Sequence, residues 1–198
     1  RKSSPPPGGA PVDRKIAGPA RVVSDKRAQT YDRLDAIQSL AAMKSPEAAA
    51  ALLKRFSFSI DPSITDQEEK DLAYQGIIEA GVEVVPLVRA YCVKAEVLTW
   101  PLKALRELLD DERYKEELLD LLEHFDTEYA RNVEPKLATI MALETLVGDD
   151  IREAVEPFLE DVNETIRFHA IETTFAQNDP ASVAPSREAL RAAPIPAE

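Results

Sequence analysis

From about Ala28 onward, apolar side chains return every three or four residues, the period of a helix that buries one face. In "RAQTYDRLDAIQSLAAM", Tyr31, Leu34, Ile37, Leu40 and Ala41 form one such stripe. Ser45 and Pro46 then mark a stop and a restart, because serine caps a helix start and proline suits its first turn. "EAAAALLKRF" is predicted to return as a second helix. "FSFSIDPSI" alternates apolar and polar residues, which predicts a short extended piece, and Pro62 argues against a central strand. Thr65 and Glu68 have capping-box spacing ahead of a helix from about Asp66 to Ala80. Gly81 stops that helix and "EVVPLVRAYCVKA" answers it.

The alternation of stripe and stop continues. Thr99-Trp100-Pro101 opens a third pair, with Leu102, Leu105, Leu108 and Leu109 in register. Its partner "RYKEELLDLLEHF" turns Tyr114, Leu118, Leu121, Leu122 and Phe125 inward. A fourth pair runs over Val133–Val147 and Ile151–Glu160, broken at Gly148-Asp149-Asp150. A fifth starts near Asn163, breaks at Asn178-Asp179-Pro180 and ends in "VAPSREALRAA". The turns within pairs centre near residues 45, 82, 111, 149 and 179. A helix pair repeating at this interval marks an α-solenoid, in which each pair buries its stripe by stacking on its neighbours. The expected architecture is all-α, with about five helix pairs over 25–193. Residues 1–24, with Pro-Pro-Pro-Gly-Gly and "AGPA", are expected to be a flexible basic linker, and 194–198 a frayed tail.

Composition agrees with helices: of 198 residues, 44% are hydrophobic, 6% are aromatic and only 6 are glycine. That hydrophobic share supplies a core and excludes global disorder. Charge is uneven. Residues 1–27 hold seven Lys/Arg and two Asp, whereas 111–198 hold eight basic and twenty-one acidic residues, net −13. Such a field repels phosphate backbones and argues against nucleic-acid binding by the folded body. No apolar run approaches the roughly 20 residues that span a bilayer, and "RKSSPPPGGAPVDRK" has no apolar core of a signal peptide. A single cysteine, Cys92, allows no intrachain disulfide. It fits a reducing compartment, and a cytoplasmic location is the expectation.

Candidate chemistry is sparse. His124 and His169 are the only histidines, so a multi-histidine metal centre is excluded and no metal or cofactor is expected. Cys92 has no histidine near it in sequence and is read as a small buried hydrophobe rather than a nucleophile. No Gly-rich phosphate loop, Walker motif or GxSxG elbow occurs. Trp100 is either a plug between pairs or a partner hot spot. The strings "DPSITDQEEK", "FDTEYARNVEPK" and "EDVNETIR" each precede the first helix of a pair. In a solenoid they would share one edge, carrying Asp66, Glu68, Glu69, Asp126, Glu128, Tyr129, Arg131, Glu134, Asp161 and Glu164. Acids at helix starts serve the helix dipole, so two roles stay open: capping, and a polar edge that binds a partner.

"ALETLVGDDIREAVEPFLEDVNETIRFHAIETTFA", residues 142–176, resembles a HEAT-like repeat of the kind also called the phycobilisome-lyase repeat. The matching positions are Ala142, Leu146, Gly148-Asp149, Val155, Leu159, Asp161, Ile166-Arg167 and Ala170. "DPSITDQEEK", "WPLKALRELL" and "FDTEYARNVEPK" are similar to bacterial HEAT-repeat proteins with no assigned activity, over roughly 30–180. The resemblance implies a right-handed, armadillo-like helical array in which Arg167 is a structural staple to Asp161 or a neighbouring acid. It also implies that second helices line the concave side, so Glu116, Asp120, Glu123, Glu153, Glu156 and Glu160 would line a groove. The expected function is a non-enzymatic protein scaffold. Its partner would carry a basic segment and meet Glu116, Asp120, Glu123, Tyr129 and Arg131. The alternative is an enzyme or cofactor-handling protein related to bilin lyases, which needs a closed pocket with converging polar groups.

Overall fold

The computed structural model describes residues 14–177, which form ten α-helices and no strand. The "VAPSREALRAA" helix, the break at Asn178-Asp179-Pro180, the tail at 194–198 and the first thirteen residues of the expected linker lie outside the described residues. The chain divides into two compact units, one ending at Val84 and the other beginning at Val85. No helix among the described residues is long and apolar enough to cross a membrane.

The first unit contains α1 (Arg14–Val23), α2 (Thr30–Ala41), α3 (Pro46–Leu53) and α4 (Ser63–Glu79), with 3-10 turns at Lys54–Ser57 and Val82–Val84. α1 corrects the expected linker over 1–24. Pro19 and Gly18 lower its helix propensity, but Ile16 and Val23, seven residues apart, are buried where α1 packs on α2 and α3. Burial of an apolar stripe outweighs local propensity here. Ser45 caps α3 as expected, accepting from Ala48 N–H at 3.3 Å, with Pro46 in the first turn. Gly81, at φ +81°, follows the end of α4. At Gly76 a Cβ would come within 2.7 Å of Ala41 Cβ and Leu52 Cδ1, so α4 lies against α2 and α3 more closely than a side chain allows.

Two local expectations change. Tyr31 is 80% exposed rather than inward, and the buried stripe of α2 is Arg33, Ala36, Ile37 and Leu40. Thr65 and Glu68 form no capping box, because α4 starts earlier, after Pro62. The residue that ties down its start is Asp66, which accepts from Arg55 Nη2 at 2.6 Å, Lys70 Nζ at 2.7 Å and Ile60 N–H at 3.1 Å.

A charged core explains both changes. Glu69 is fully buried and accepts from Arg33 Nε at 2.9 Å and Arg55 Nε at 2.6 Å, and both guanidiniums are buried too. Arg55 also reaches the Phe58 carbonyl at 3.0 Å, which fixes the extended stretch after the 3-10 turn. Two cations on one carboxylate, with Asp66 as the second acid, leave the buried charges paired. Burial alone would raise the Asp66 carboxyl pKa, but hydrogen bonds from Lys70 and Arg55 hold it below its ordinary value.

The second unit contains α5 (Val85–Cys92), α6 (Thr99–Leu108), α7 (Asp111–Leu122), α8 (Glu134–Leu143), α9 (Asp149–Val155) and α10 (Glu164–Ala176); a 3-10 turn at Glu156–Glu160 extends α9. The expected second pair is therefore divided, with α4 in one unit and α5 in the other. Within the second unit α7 packs on α5, α6, α8 and α9, and α8 packs on α10. Leu118, Ile140, Leu143, Ile151, Val155, Ile166 and Ala170 are fully buried between these helices. Trp100 is half-buried, with the Lys103 ammonium 4.8 Å from its ring centre.

Removing residues 1–24 should lower the melting temperature by several degrees relative to a cut of residues 1–13, since only the longer cut deletes Ile16 and Val23; equal melting curves for the two truncations refute the packing of α1. Glu69→Ala should cost about 3–5 kcal/mol in urea unfolding by leaving Arg33 and Arg55 buried and unpaired. Because the Asp66 pKa is depressed, its stabilisation is full above the ordinary carboxylate value and is lost as pH falls through the folded one. Asp66→Asn should therefore flatten the acid limb of the stability profile, and an unchanged acid limb would contradict the assignment.

Candidate functional site

Three helices, α2, α8 and α10, share one device: a cation near the helix start turns back to the carbonyls of the loop just before it. Arg33 Nη1 donates to the Ala28 carbonyl. Lys136 Nζ donates to the Asp126 carbonyl at 2.7 Å and to Asp161 Oδ2 at 2.5 Å. Arg167 Nη1 donates to the carbonyls of Asp161 at 2.7 Å and Val162 at 3.2 Å. Arg167 is thus a staple to backbone, not to the expected carboxylate. The Asp161 carboxylate is already taken by Lys136 and by Asn163 N–H at 2.8 Å.

The same bonds set loops of the second unit side by side. Asn132 Nδ2 donates to the Glu96 carbonyl at 2.7 Å, Leu98 N–H donates to Glu134 at 3.0 Å, and Val162 N–H donates to the Thr127 carbonyl at 3.1 Å. Burial raises the Glu134 carboxyl pKa, against the lowering effect of the Leu98 and Thr99 bonds. Tyr129, 83% exposed, and Arg131, also exposed, stand on this edge, with Val97 and Val162 exposed on the adjoining loops. Several residues assigned to the edge point inward instead. Glu69 and Asp161 are buried, while Asp66 and Glu134 are half-buried and committed to internal bonds.

Two grooves flank α7. The smaller, about 300 Å3, lies between α5 and α7 and is lined by Arg89, Cys92, Leu105, Glu117, Asp120 and Glu123, with His124 at its edge. Arg89 Nε donates to Glu117 Oε2 at 2.6 Å and Nη2 reaches the other oxygen, so one of its acids is neutralised in place. The larger, about 670 Å3, lies between α7 and α9 with its 3-10 extension. Its floor is Leu119, Leu122, Phe125, Ala154, Pro157 and Phe158, and its rim is Glu123, Asp126, Asp150 and Glu153. No Lys or Arg lines it. Asp150 pairs with Lys115 at 3.2 Å and Glu153 stands 3.6 Å from Arg152, whereas Glu123 and Asp126 have no cationic partner among the described residues.

Of the partner-facing residues expected from sequence, the structure brings Asp120 and Glu123 to the grooves, together with Glu153. Glu116 is exposed on α7 outside both grooves, and Glu156 is engaged by Arg152 at 3.0 Å. Tyr129 and Arg131 belong to the loop edge. The Arg89–Glu117 clamp and the roles of Asp126 and Asp150 as groove rim were missed. The clamp joins α5 to α7 across 28 residues, a pairing that local periodicity does not signal.

Chemistry is poorly supported by the same geometry. Cys92 and His124 share the smaller groove, but burial pushes the thiol pKa up to about 12, so thiolate is scarce at neutral pH. His124 is exposed, its Nδ1 2.9 Å from the Asp120 carbonyl. His169, half-buried on α10, meets Phe168 edge-on. Among the described residues no group of three or more His, Cys, Asp and Glu is placed to hold a metal ion. Compared with known proteins, the chain matches no family model, no curated sequence and no solved structure.

Cys92 should resist a disulfide reagent in the folded protein and react fully in denaturant; fast labelling in native buffer would reopen thiol chemistry in the smaller groove. Arg167→Ala should cost about 1–3 kcal/mol, and His169→Ala less. Denaturant melts giving the reverse order would displace Arg167 as the staple of α10.

Proposed function

We propose that the chain is a non-enzymatic protein-interaction module whose units are stacked HEAT-like helix pairs. Three features support the repeat. First helices pack on first helices (α2 on α4, α8 on α10), and second helices on second helices (α5 on α7, α7 on α9). The links Arg33–Glu69, Glu96–Asn132 and Leu98–Glu134 each span 36 residues, close to the interval between helix pairs. The cation that returns to its preceding loop recurs in both units.

The observation that carries the function is the groove between α7 and α9, an open trough with an apolar floor and a carboxylate rim. Such a surface suits recognition of a peptide or protein segment, and it holds no activated nucleophile. The negative field of the C-terminal half disfavours nucleic acid. The thiol in the smaller groove is protonated, so a bilin-lyase-like activity draws no support from it.

Panning a displayed peptide library on the full chain tests this reading. A motif should be enriched and should be lost when either the groove (Glu123→Gln with Glu153→Gln) or the edge (Tyr129→Ala with Arg131→Ala) is altered. No enrichment over an unrelated control protein would overturn the interaction-module reading.

A further inference from the structure

The larger groove differs from the smaller in one respect that decides what it can hold. In the smaller groove Arg89 supplies the counter-charge to Glu117 from within the protein. In the larger, four carboxylates surround an apolar floor; Lys115 and Arg152, outside the lining, approach Asp150 and Glu153, leaving the other two. Both Glu123 and Asp126 lack an internal cationic partner among the described residues, and Glu123 stands where the two grooves meet, lining both. Carboxylates gathered on one rim repel each other, and a cation brought by a ligand relieves that repulsion. The exposed Pro157 and the half-buried Leu119 and Phe125 between them gain free energy only if an apolar group covers them. An occupant must satisfy both requirements together.

We infer that the groove between α7 and α9 seats a cationic amphipathic segment of a partner protein. One apolar side chain covers Leu119, Phe125 and Pro157, and flanking Lys or Arg side chains reach the carboxylates of Glu123 and Asp126, with Asp150 and Glu153 beyond them. This rests on the interaction-module reading and names its partner. The volume of about 670 Å3 matches that choice. It falls within the roughly 300–1,000 Å3 of ordinary ligand sites, enough for an anchoring side chain and its neighbours but not for a whole helix. The rest of the segment therefore lies along the surface, where its cations meet the rim. The chain's own first thirteen residues fit less well, since they hold only Arg1 and Lys2 against Asp13, and Val12 is their one branched aliphatic side chain.

The test uses the full chain and three labelled peptides, read by fluorescence anisotropy. One is a Lys/Leu helix with a single Phe, one is oligolysine of the same charge, and one is the first with Lys replaced by Glu. The Lys/Leu/Phe peptide should bind, and its affinity should fall several-fold between low and physiological salt. Oligolysine should bind at least about tenfold more weakly, for want of an anchor, and the acidic peptide not at all. Glu123→Gln with Glu153→Gln should weaken binding by about tenfold, and Ala154→Lys, which puts a cation on the floor, should abolish it. Glu47→Gln with Glu83→Gln makes the same change of net charge at exposed positions of the first unit and should leave affinity unchanged. Circular dichroism melts confirm that each variant is folded.

Oligolysine binding as tightly as the anchored peptide, or equal losses in the two double variants, would reduce the effect to diffuse electrostatics and overturn the site. Tighter binding after removal of residues 1–13 would make the chain's own tail the occupant, which also overturns it. If the basic peptide fails while displayed peptides bind through Tyr129 and Arg131, the groove assignment falls and the interaction module stands. If neither binds, both fall.

Discussion

Three helices in this chain, α2, α8 and α10, depend on a cation that turns away from its own helix to satisfy the loop ahead of it. Arg33 reaches the Ala28 carbonyl, Lys136 that of Asp126, and Arg167 those of Asp161 and Val162. A tight connection ahead of a helix exposes carbonyls that the helix cannot satisfy, and leaving them buried without partners is costly. A long basic side chain meets the need from the adjacent helix, but only if its own charge finds an acid or enough oxygens. The remaining acids are arranged accordingly: Glu69 sits between two guanidiniums, and Asp161 faces Lys136 at 2.5 Å. Such pairs add less stability than their geometry suggests, because desolvation offsets attraction. Their main effect is on register, since a slip of one helix position would strand a buried charge.

That internal pairing also defines the surface. Acids engaged in the interior, such as Glu69 and Asp161, are withdrawn from any partner. Around the groove between α7 and α9, Asp150 and Glu153 keep Lys115 and Arg152 close, while Glu123 and Asp126 have no such obligation and border an apolar trough. The second unit therefore treats its acids in two ways: Glu117 is neutralised by Arg89, whereas Glu123 and Asp126, on the rim of the groove between α7 and α9, meet no cation among the described residues. This contrast lies between two grooves on the same helix, so overall charge does not explain it.

Burial pushes the Cys92 thiol pKa up to about 12, and the His124 Nδ1 lies 2.9 Å from the Asp120 carbonyl. His124, in the turn after α7, and His169, on α10, join no group of metal-binding residues among the described ones. Both grooves offer shape, apolar surface and charge, the ingredients of recognition.

Helical class, the positions of most helices, the Ser45 cap and the inward face of α7 were legible in sequence. They follow from local rules: a 3.6-residue period, a capping hydroxyl and a first-turn proline. The local signal failed where distant residues decide. α1 carries Gly18 and Pro19 and reads as linker, yet burial of Ile16 and Val23 against α2 and α3 makes it a helix. Tyr31 fits the apolar stripe and is exposed, because Arg33 takes the inward position to meet Glu69, 36 residues away. The acids looked alike along the chain. Only packing separates Asp161, which holds a buried lysine, from Glu123, which faces a groove with no cation of its own. Periodicity is a property of neighbours in sequence and survives without the fold. The partner of a charge is a property of neighbours in space, and only the tertiary structure decides it.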